Sequence, residues 1–276
     1  PAPRSIHKEV YKLEPGCIVE VRGHLEVLSP KQPLRPGECH GSVSIRRFWS
    51  LNKILEKGYK SQVHTAQGAI EEVESTLSLS VARQMISDVP LGAFLSGGID
   101  SSLIVALMSQ KVERPVKTYT IGFENAEFDE APYAAAIAQH LGTEHTEMTV
   151  TEYEARNVIP LLPDLYDEPF ADSSQIPTFL VCHAARRHVT VALTGDAGDE
   201  LFGGYNRYIL GPNLWRRLEK IPLPLRRSLG NLLSATPLSA WEFVGRLVAS
   251  RKSIRHLGDK VQKMARALQD VNSIED

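Results

Sequence analysis

Cysteine is scarce: the 276 residues hold three, Cys17, Cys39 and Cys182, with no CxxC pair. That excludes a disulfide framework and zinc-type spacing, and fits a reducing, cytoplasmic compartment. No run of 18 apolar residues occurs, so no helical membrane span is read. Charge of one sign is also lacking. The 31 basic and 33 acidic residues leave a net charge of −2, which excludes nucleic-acid binding driven by global charge. There is no internal repeat and no low-complexity tract. Nine histidines are scattered; His183 and His188 do not share a helical face and read as structural. The chain opens on Pro rather than Met, and PAPRSIHKEV resembles no signal peptide. The expectation is a piece of a longer protein.

What is present is ordinary for a globular protein that buries a sizeable core: 42% hydrophobic and 23% charged residues. Residues 1–50 read as β-structure, with Glu14-Pro15-Gly16 and Arg22-Gly23-His24 as turns flanking CIVEV and LEVL. KQPLRPGECHGS is a loop. Over 66–88, Ile70, Val73, Leu77, Val81 and Met85 recur at helical spacing, so a boundary is expected near 55–65.

From residue 89 strands alternate with helices. VPLGAFL reads as a strand covered on both faces. Helix 101–110, strand 116–123, helix 129–141 closed by Gly142, and strand 145–150 follow. Helices at 152–162 and 178–187 lead to the strand VTVAL at 189–193. This alternation predicts an α/β fold with a doubly wound parallel sheet. From about 213 no strand is evident. The 12 basic and 6 acidic residues there suggest helices with solvated basic faces.

LSGGIDSS (Leu95–Ser102) falls between the first of these strands and its helix. Ligands bind at the carboxyl ends of strands in open α/β sheets, near a switch in strand order. Helix N-termini there favour phosphate. Gly97 and Gly98 let the backbone approach an anion, while Ser96, Ser101 and Ser102 add hydroxyl donors. Asp100 would repel phosphate unless a cation lay between, which points to Mg²⁺ held with a nucleotide. The loop lacks both the lysine of the common P-loop and the G-x-G-x-x-G of dinucleotide folds. The plainer reading is a Ser/Asp helix cap after a glycine turn. TGDAGDELFGGY (Thr194–Tyr205) follows VTVAL and carries Asp196, Asp199 and Glu200. Alone it reads equally as an acid-rich helix start. Paired with the first loop, one carboxylate from each could clamp Mg²⁺ on a pyrophosphate leaving group, and another could take a proton from a nucleophile.

SGGIDSS resembles the pyrophosphate-binding loop of the ATP pyrophosphatase superfamily, whose adenine nucleotide α-hydrolase-like fold cleaves ATP between the α and β phosphates. TGDAGDELFGGY is similar to the second signature of the asparagine synthetase family, usually close to SGEGxDExFGGY. TIGF, HLGTEH and DEPFADSSQIPTFL extend the resemblance from about residue 60 to at least 210, and residues 1–50, ending in IRRFW, look like the end of that family's glutaminase domain. The resemblance implies two domains: residues 1–58, a β-rich glutaminase-like remnant, and 59–276, a synthetase domain incomplete at its C-terminus and ending in a helical tail. It implies that the backbones of Leu95 and Ile121 meet ATP. Ser96, Gly97, Gly98, Ser101 and Ser102 would hold pyrophosphate, and Thr194 and Gly195 would line the nucleotide. Asp100 and Asp199 would bind Mg²⁺, and Asp196 would assist ammonia attack. The reaction implied is adenylation of a small carboxylate, aspartate first, and transfer of ammonia to give an amide. No nucleic-acid or membrane partner is implied, and a homodimer is left open.

Three departures qualify this. The family's glutaminase needs an N-terminal cysteine, and residue 1 is Pro, with Cys17 and Cys39 in the wrong context. Ammonia from glutamine would thus require a separate glutaminase domain. Asp196 stands where the family carries glutamate, one methylene longer. Asparagine synthetases usually place an arginine in the stretch corresponding to 168–177, where the acceptor is read, and EPFADSSQIP has none. Arginine suits a second carboxylate. Its absence opens a second reading, an amidotransferase acting on a uronic acid sugar in surface-polysaccharide synthesis. A catalytically silent ATP-binding fragment is the alternative of another class.

Overall fold

The computed structural model describes residues 2–24, 32–124, 129–169, 171–237, 240–241 and 257–271. They divide into two compact units, Pro1–Gly195 and Asp196–Asp276. In the first unit β1 (Cys17–Val21), β2 (Cys39–His40) and β3 (Val43–Arg47) form an antiparallel sheet of order β1-β3-β2. Gly16, at φ +72°, makes the turn expected before β1, and its carbonyl accepts from the Phe48 and Trp49 amides at 2.9 and 3.2 Å. The strand expected at LEVL lies outside the described residues.

Two helices lead into the main sheet. The sequence reading assigned no helix to α1 (Leu51–Lys60), which is amphipathic and has no buried residue. In α2 (Ala66–Gln84) the Thr65 hydroxyl caps by accepting from the Gly68 amide at 3.1 Å. Only the far half of the expected apolar stripe reaches the core. Val81 is buried with Leu77 and Met85 packed nearby, while Ile70 stays 60% exposed.

The predicted α/β alternation follows. It consists of β4 (Leu91–Phe94), α3 (Ile99–Ser109), β5 (Lys117–Phe123), α4 (Ala131–Leu141), β6 (Glu144–Val150), α5 (Glu152–Val158), a 3₁₀ turn, α6 (Leu162–Leu165), α7 (Gln175–Ala185) and β7 (Val191–Leu193). Gly142 closes α4 in the left-handed conformation at φ +65°. The four strands are parallel and ordered β6-β5-β4-β7. The chain steps outward from β4 through β5 to β6, then returns to the other side of β4. Right-handed crossovers therefore place α7 on the face opposite α3 and α4.

Alternate residues of β4 feed two cores. Ala93 and Leu95 pack with Val105, Met108, Ala134 and Ala138; Phe94 packs with Tyr119, Val181, Ala185 and Val189. Burying side chains the size of Leu95 or Met108 contributes roughly 1.5–3 kcal/mol each.

The second unit's described residues form helices: α8 (Gly198–Phe202), α9 (Asn206–Leu218), α10 (Leu223–Ala235) and α11 (Leu257–Asp270). Gly230 lets α10 meet α11 closely, since a methyl group built there would lie 2.8 Å from the Ala265 carbonyl oxygen. The basic residues are not all solvated as the sequence suggested. Arg226 is 6% exposed, with its guanidinium carbon 5.1 Å from the Trp215 ring centroid and a hydrogen bond to the Val271 carbonyl at 3.4 Å. Among the described residues no helix is long and apolar enough to cross a membrane.

Candidate functional site

The reversal of strand order falls at β4, between β5 and β7. Both sequence motifs leave the sheet there, at the carboxyl ends of adjacent parallel strands whose register pairs Ala93 with Leu193. Leu95 prolongs β4 by donating its amide to the Tyr119 carbonyl at 2.9 Å, and its side chain is 1% exposed. Ile121 lies two residues past Tyr119 on β5, half-buried.

The chain then turns at Gly97, φ +80°, which only glycine adopts without strain. A methyl group there would also lie 2.7 Å from the Tyr133 Cβ and 2.9 Å from the Ala134 amide, in the first turn of α4. Gly98 is the N-cap of α3 and offers no side-chain cap to the helix amides that follow it. The plainer reading of a Ser/Asp cap is thereby excluded. The exposed Ser96 hydroxyl accepts from the Gly98 amide at 3.3 Å and donates to Ser101 Oγ at 3.0 Å. Ser101, 8% exposed, accepts from the Ser96 amide at 3.2 Å and donates to the Gly98 carbonyl at 3.3 Å. Ser102 donates to the same carbonyl at 2.6 Å. In the structure these two hydroxyls brace the loop from beneath, a role the sequence reading did not anticipate. Asp100 is half-buried in the first turn of α3.

Thr194 and Gly195 follow β7 directly. A methyl group on Gly195 would lie 2.5 Å from the Ser101 amide nitrogen and 2.7 Å from the Asp100 carbonyl carbon. Glycine is therefore required for the second loop to lie backbone to backbone on the helix start of the first. In the second unit Asp196 is exposed, and Ala197 adopts φ +72° where the family signature has glycine. Asp199 and Glu200 open α8. The Asp199 carboxylate lies against Gly204, where an added methyl group would sit 1.9 Å from Oδ1, and the Gly204 amide donates to the Asp199 carbonyl at 3.0 Å. Tyr205 donates its hydroxyl to Glu200 Oε1 at 2.6 Å. FGGY thus folds back on the Asp-Glu pair, a contact the sequence reading did not anticipate.

The family profile described as "Asparagine synthase" matches residues 72–274. A Mycobacterium tuberculosis protein provisionally named an asparagine synthetase (glutamine-hydrolysing) is 36% identical over 240 residues, 86% of this chain and 33% of the relative. The Bacillus subtilis asparagine synthetase (glutamine-hydrolysing) 1 is 33% identical over 237 residues, 86% of this chain and 34% of the relative. The chain therefore spans about a third of the length of these curated relatives. Two solved structures overlap more loosely. An NMN synthetase from Francisella tularensis has TM-score 0.36 and 15% identity, covering 50% of this chain and 59% of its own. An NAD synthetase from Campylobacter jejuni has TM-score 0.35 and 12% identity, covering 72% of this chain and 93% of its own. With the profile matched across most of its length, the chain belongs to the asparagine synthase family.

Proposed function

We propose that this chain is the synthetase part of an ATP-dependent amide ligase, with residues 1–58 the end of a glutaminase-like domain and 59–276 the synthetase domain. The observation that carries this is the packing of Gly195 on Asp100 and Ser101 at the strand-order switch. It brings the start of the carboxylate-rich loop to an uncapped, glycine-led helix N-terminus. That donor set fits a polyphosphate: free amides, the positive end of the helix dipole and an exposed serine hydroxyl.

In the proposed reaction a substrate carboxylate oxygen attacks the α-phosphorus of ATP, and the bond to the β-phosphate bridge breaks. Acyl-AMP and pyrophosphate result. Ammonia then attacks the acyl carbon, giving amide and AMP with release of a proton. The backbones of Leu95, Ile121, Thr194 and Gly195 orient the nucleotide. Ser96, Gly97 and Gly98 hold the leaving pyrophosphate, with Ser101 and Ser102 keeping that loop in shape. Asp100 and Asp199 would hold Mg²⁺, which neutralises phosphate charge when bound. Among the described residues no three His, Cys, Asp or Glu side chains gather around one point. Mg²⁺ commonly takes one or two carboxylates plus substrate phosphates, so two carboxylates would suffice for it. Asp196 is the group that takes the proton from the attacking nitrogen.

Aspartate is the acceptor proposed first. The second reading, a uronic acid, is favoured by the absence of arginine from Glu168–Pro177 and by Asp196 in place of glutamate. The test incubates the chain with ATP, Mg²⁺, ammonium and either L-aspartate or galacturonate, following pyrophosphate and amide. Acid-dependent pyrophosphate with stoichiometric amide supports the proposal, and the acid that drives it chooses between readings. Pyrophosphate released equally without acid would overturn both. Asp100→Asn is expected to abolish metal-dependent pyrophosphate release in a chain that still folds. Asp196→Ala is expected to slow amide formation more than it weakens ATP binding.

A further inference from the structure

We propose that Glu168 is a positioning residue for the acceptor-reading loop, pinned in place by Ile6 and Lys12 of the N-terminal segment. This rests on the amidation reading above, which assigns acceptor recognition to the stretch 168–177.

The topology puts that loop at the reacting edge. α7 leads through 186–190 to the amino end of β7, so it runs opposite to the parallel strands. Its first residue, Gln175, and the loop before it therefore lie toward the carboxyl ends of the sheet. The loop's distal half braces itself. Asp172 Oδ1 accepts from the Ser174 amide at 2.9 Å, which holds the Asp172 carboxyl below its ordinary range. The Gln175 amide donates to the Asp172 carbonyl at 3.4 Å.

Its proximal half is braced from outside. Glu168 Oε1 accepts from the Ile6 amide at 3.3 Å, and Oε2 accepts from Lys12 Nζ at 2.5 Å. The donors arrive on a preformed turn. The Lys12 amide donates to the Pro3 carbonyl at 3.0 Å, Arg4 pairs with Tyr11 as an isolated antiparallel bridge, and the Ser5 hydroxyl donates to the Val10 carbonyl at 2.8 Å. The Glu168 side chain is 19% exposed and that of Lys12 45%, so the carboxylate sits inside the contact and the ammonium at its rim.

With both oxygens occupied, Glu168 serves as a fixed anchor and has no lone oxygen turned to a proton or a metal. The Lys12 hydrogen bond is the first cause holding its carboxyl below the usual range, so the anchor stays charged across neutral pH. The loop brings no arginine to the acceptor. Recognition by this loop then falls to its backbone and its other polar side chains, whose placement depends on the anchor. The segment that supplies the pin lies in the region read as the end of the ammonia-supplying domain, so one ion pair ties that region to the acceptor loop.

The test uses the chain with ATP, Mg²⁺, ammonium chloride and L-aspartate or galacturonate, whichever drives pyrophosphate release, and compares Lys12→Ala, Lys12→Arg and Glu168→Gln with the parent. Lys12→Ala and Glu168→Gln are expected to raise the acceptor KM about five-fold, with kcat and the ATP KM within two-fold. Lys12→Arg, which keeps the cation, is expected to restore the parent value. Amide hydrogen exchange over 171–175 is expected to quicken in Lys12→Ala and not in Lys12→Arg. Equal rises in the two KM values, or an unchanged acceptor KM, would overturn the positioning role. Unchanged exchange in Lys12→Ala would overturn the pin whatever the activity. A parent chain in which neither acid drives pyrophosphate release would instead overturn the amidation reading, and with it the loop's role.

Discussion

His145 shows how much one side chain's hydrogen bonds can fix. The Thr118 hydroxyl bonds both Thr143 and His145 Nδ1 at 2.9 Å. The other ring nitrogen, Nε2, is buried without a hydrogen-bond partner. Protonation would make Nε2 a buried cationic donor with no acceptor. Desolvation accordingly lowers the His145 pKa from 6.5, opposed in part by the charge of Glu147 on the same strand. Because the unfolded chain binds this proton more readily, stability is full above the unfolded pKa and falls as pH drops below about 6.5. His145→Gln is expected to flatten the decline of the thermal midpoint between pH 7 and pH 5, and an unchanged slope would refute the assignment. Ala197 makes a second residue-scale case. Its φ of +72° strains a side chain where the family signature has glycine. Ala197→Gly is expected to stabilise by about 1 kcal/mol in denaturant unfolding, the strain relief exceeding glycine's entropy in the unfolded chain.

At the scale of elements, the loop between β4 and α3 separates folding from function through two adjacent glycines. Gly97 needs its positive φ and faces the backbone of α4. Gly98 has an ordinary φ of −73°, and a methyl group there would meet only Ser96 Oγ, at 3.3 Å. Gly97→Ala is thus expected to destabilise by about 2 kcal/mol or more. Gly98→Ala is expected to melt near the parent yet bind ATP more weakly, because its methyl group covers the mouth of the helix. Calorimetry beside ATP titration checks both, and equal losses of stability would refute the distinction. The strands and helices around this loop were legible because buried elements write themselves as apolar runs and alternations, as LGAF, KTYTIGF and LIVALM do; the polar start of α3 was not, and the helix begins at Ile99 rather than at the expected 101. α1 was missed although Leu51, Ile54 and Leu55 recur at helical spacing; the apolar face they make stays exposed and the segment was read only as a boundary. The capping box of α5 is in the sequence, where Thr151 accepts from the Glu154 amide and Glu154 from the Thr151 amide, but it sharpens a boundary without identifying the element. The bracing roles of Ser101 and Ser102 were not legible, because a hydroxyl that holds a phosphate and one that holds its own loop are written with the same letter.

For the whole chain, the proposed amidation raises the question of its nitrogen source, which bears on the thiols. The curated relatives are named as glutamine-hydrolysing and are about two and a half times as long. Amide nitrogen is taken from glutamine by a nucleophile, and in this chain a thiol is the nucleophile to ask about. Cys17 is buried at the start of β1, with its sulfur 3.8 Å from the Pro15 carbonyl oxygen, and is closed to substrate. Cys39 stands exposed on the two-residue strand β2, paired with Ser44 and followed by His40. Cys182 is held on α7, where desolvation raises its pKa and so lowers the thiolate fraction at neutral pH. Cys17 is thus shut away from substrate, and Cys182 is disfavoured as a thiolate. The 276-residue chain is therefore expected to form amide with ammonium chloride and to release no glutamate from glutamine. Product analysis with ¹⁵N-ammonium against amide-¹⁵N-glutamine checks this. Label entering the product from glutamine would place a working nucleophile among these residues and overturn the assignment of glutamine hydrolysis to a separate domain.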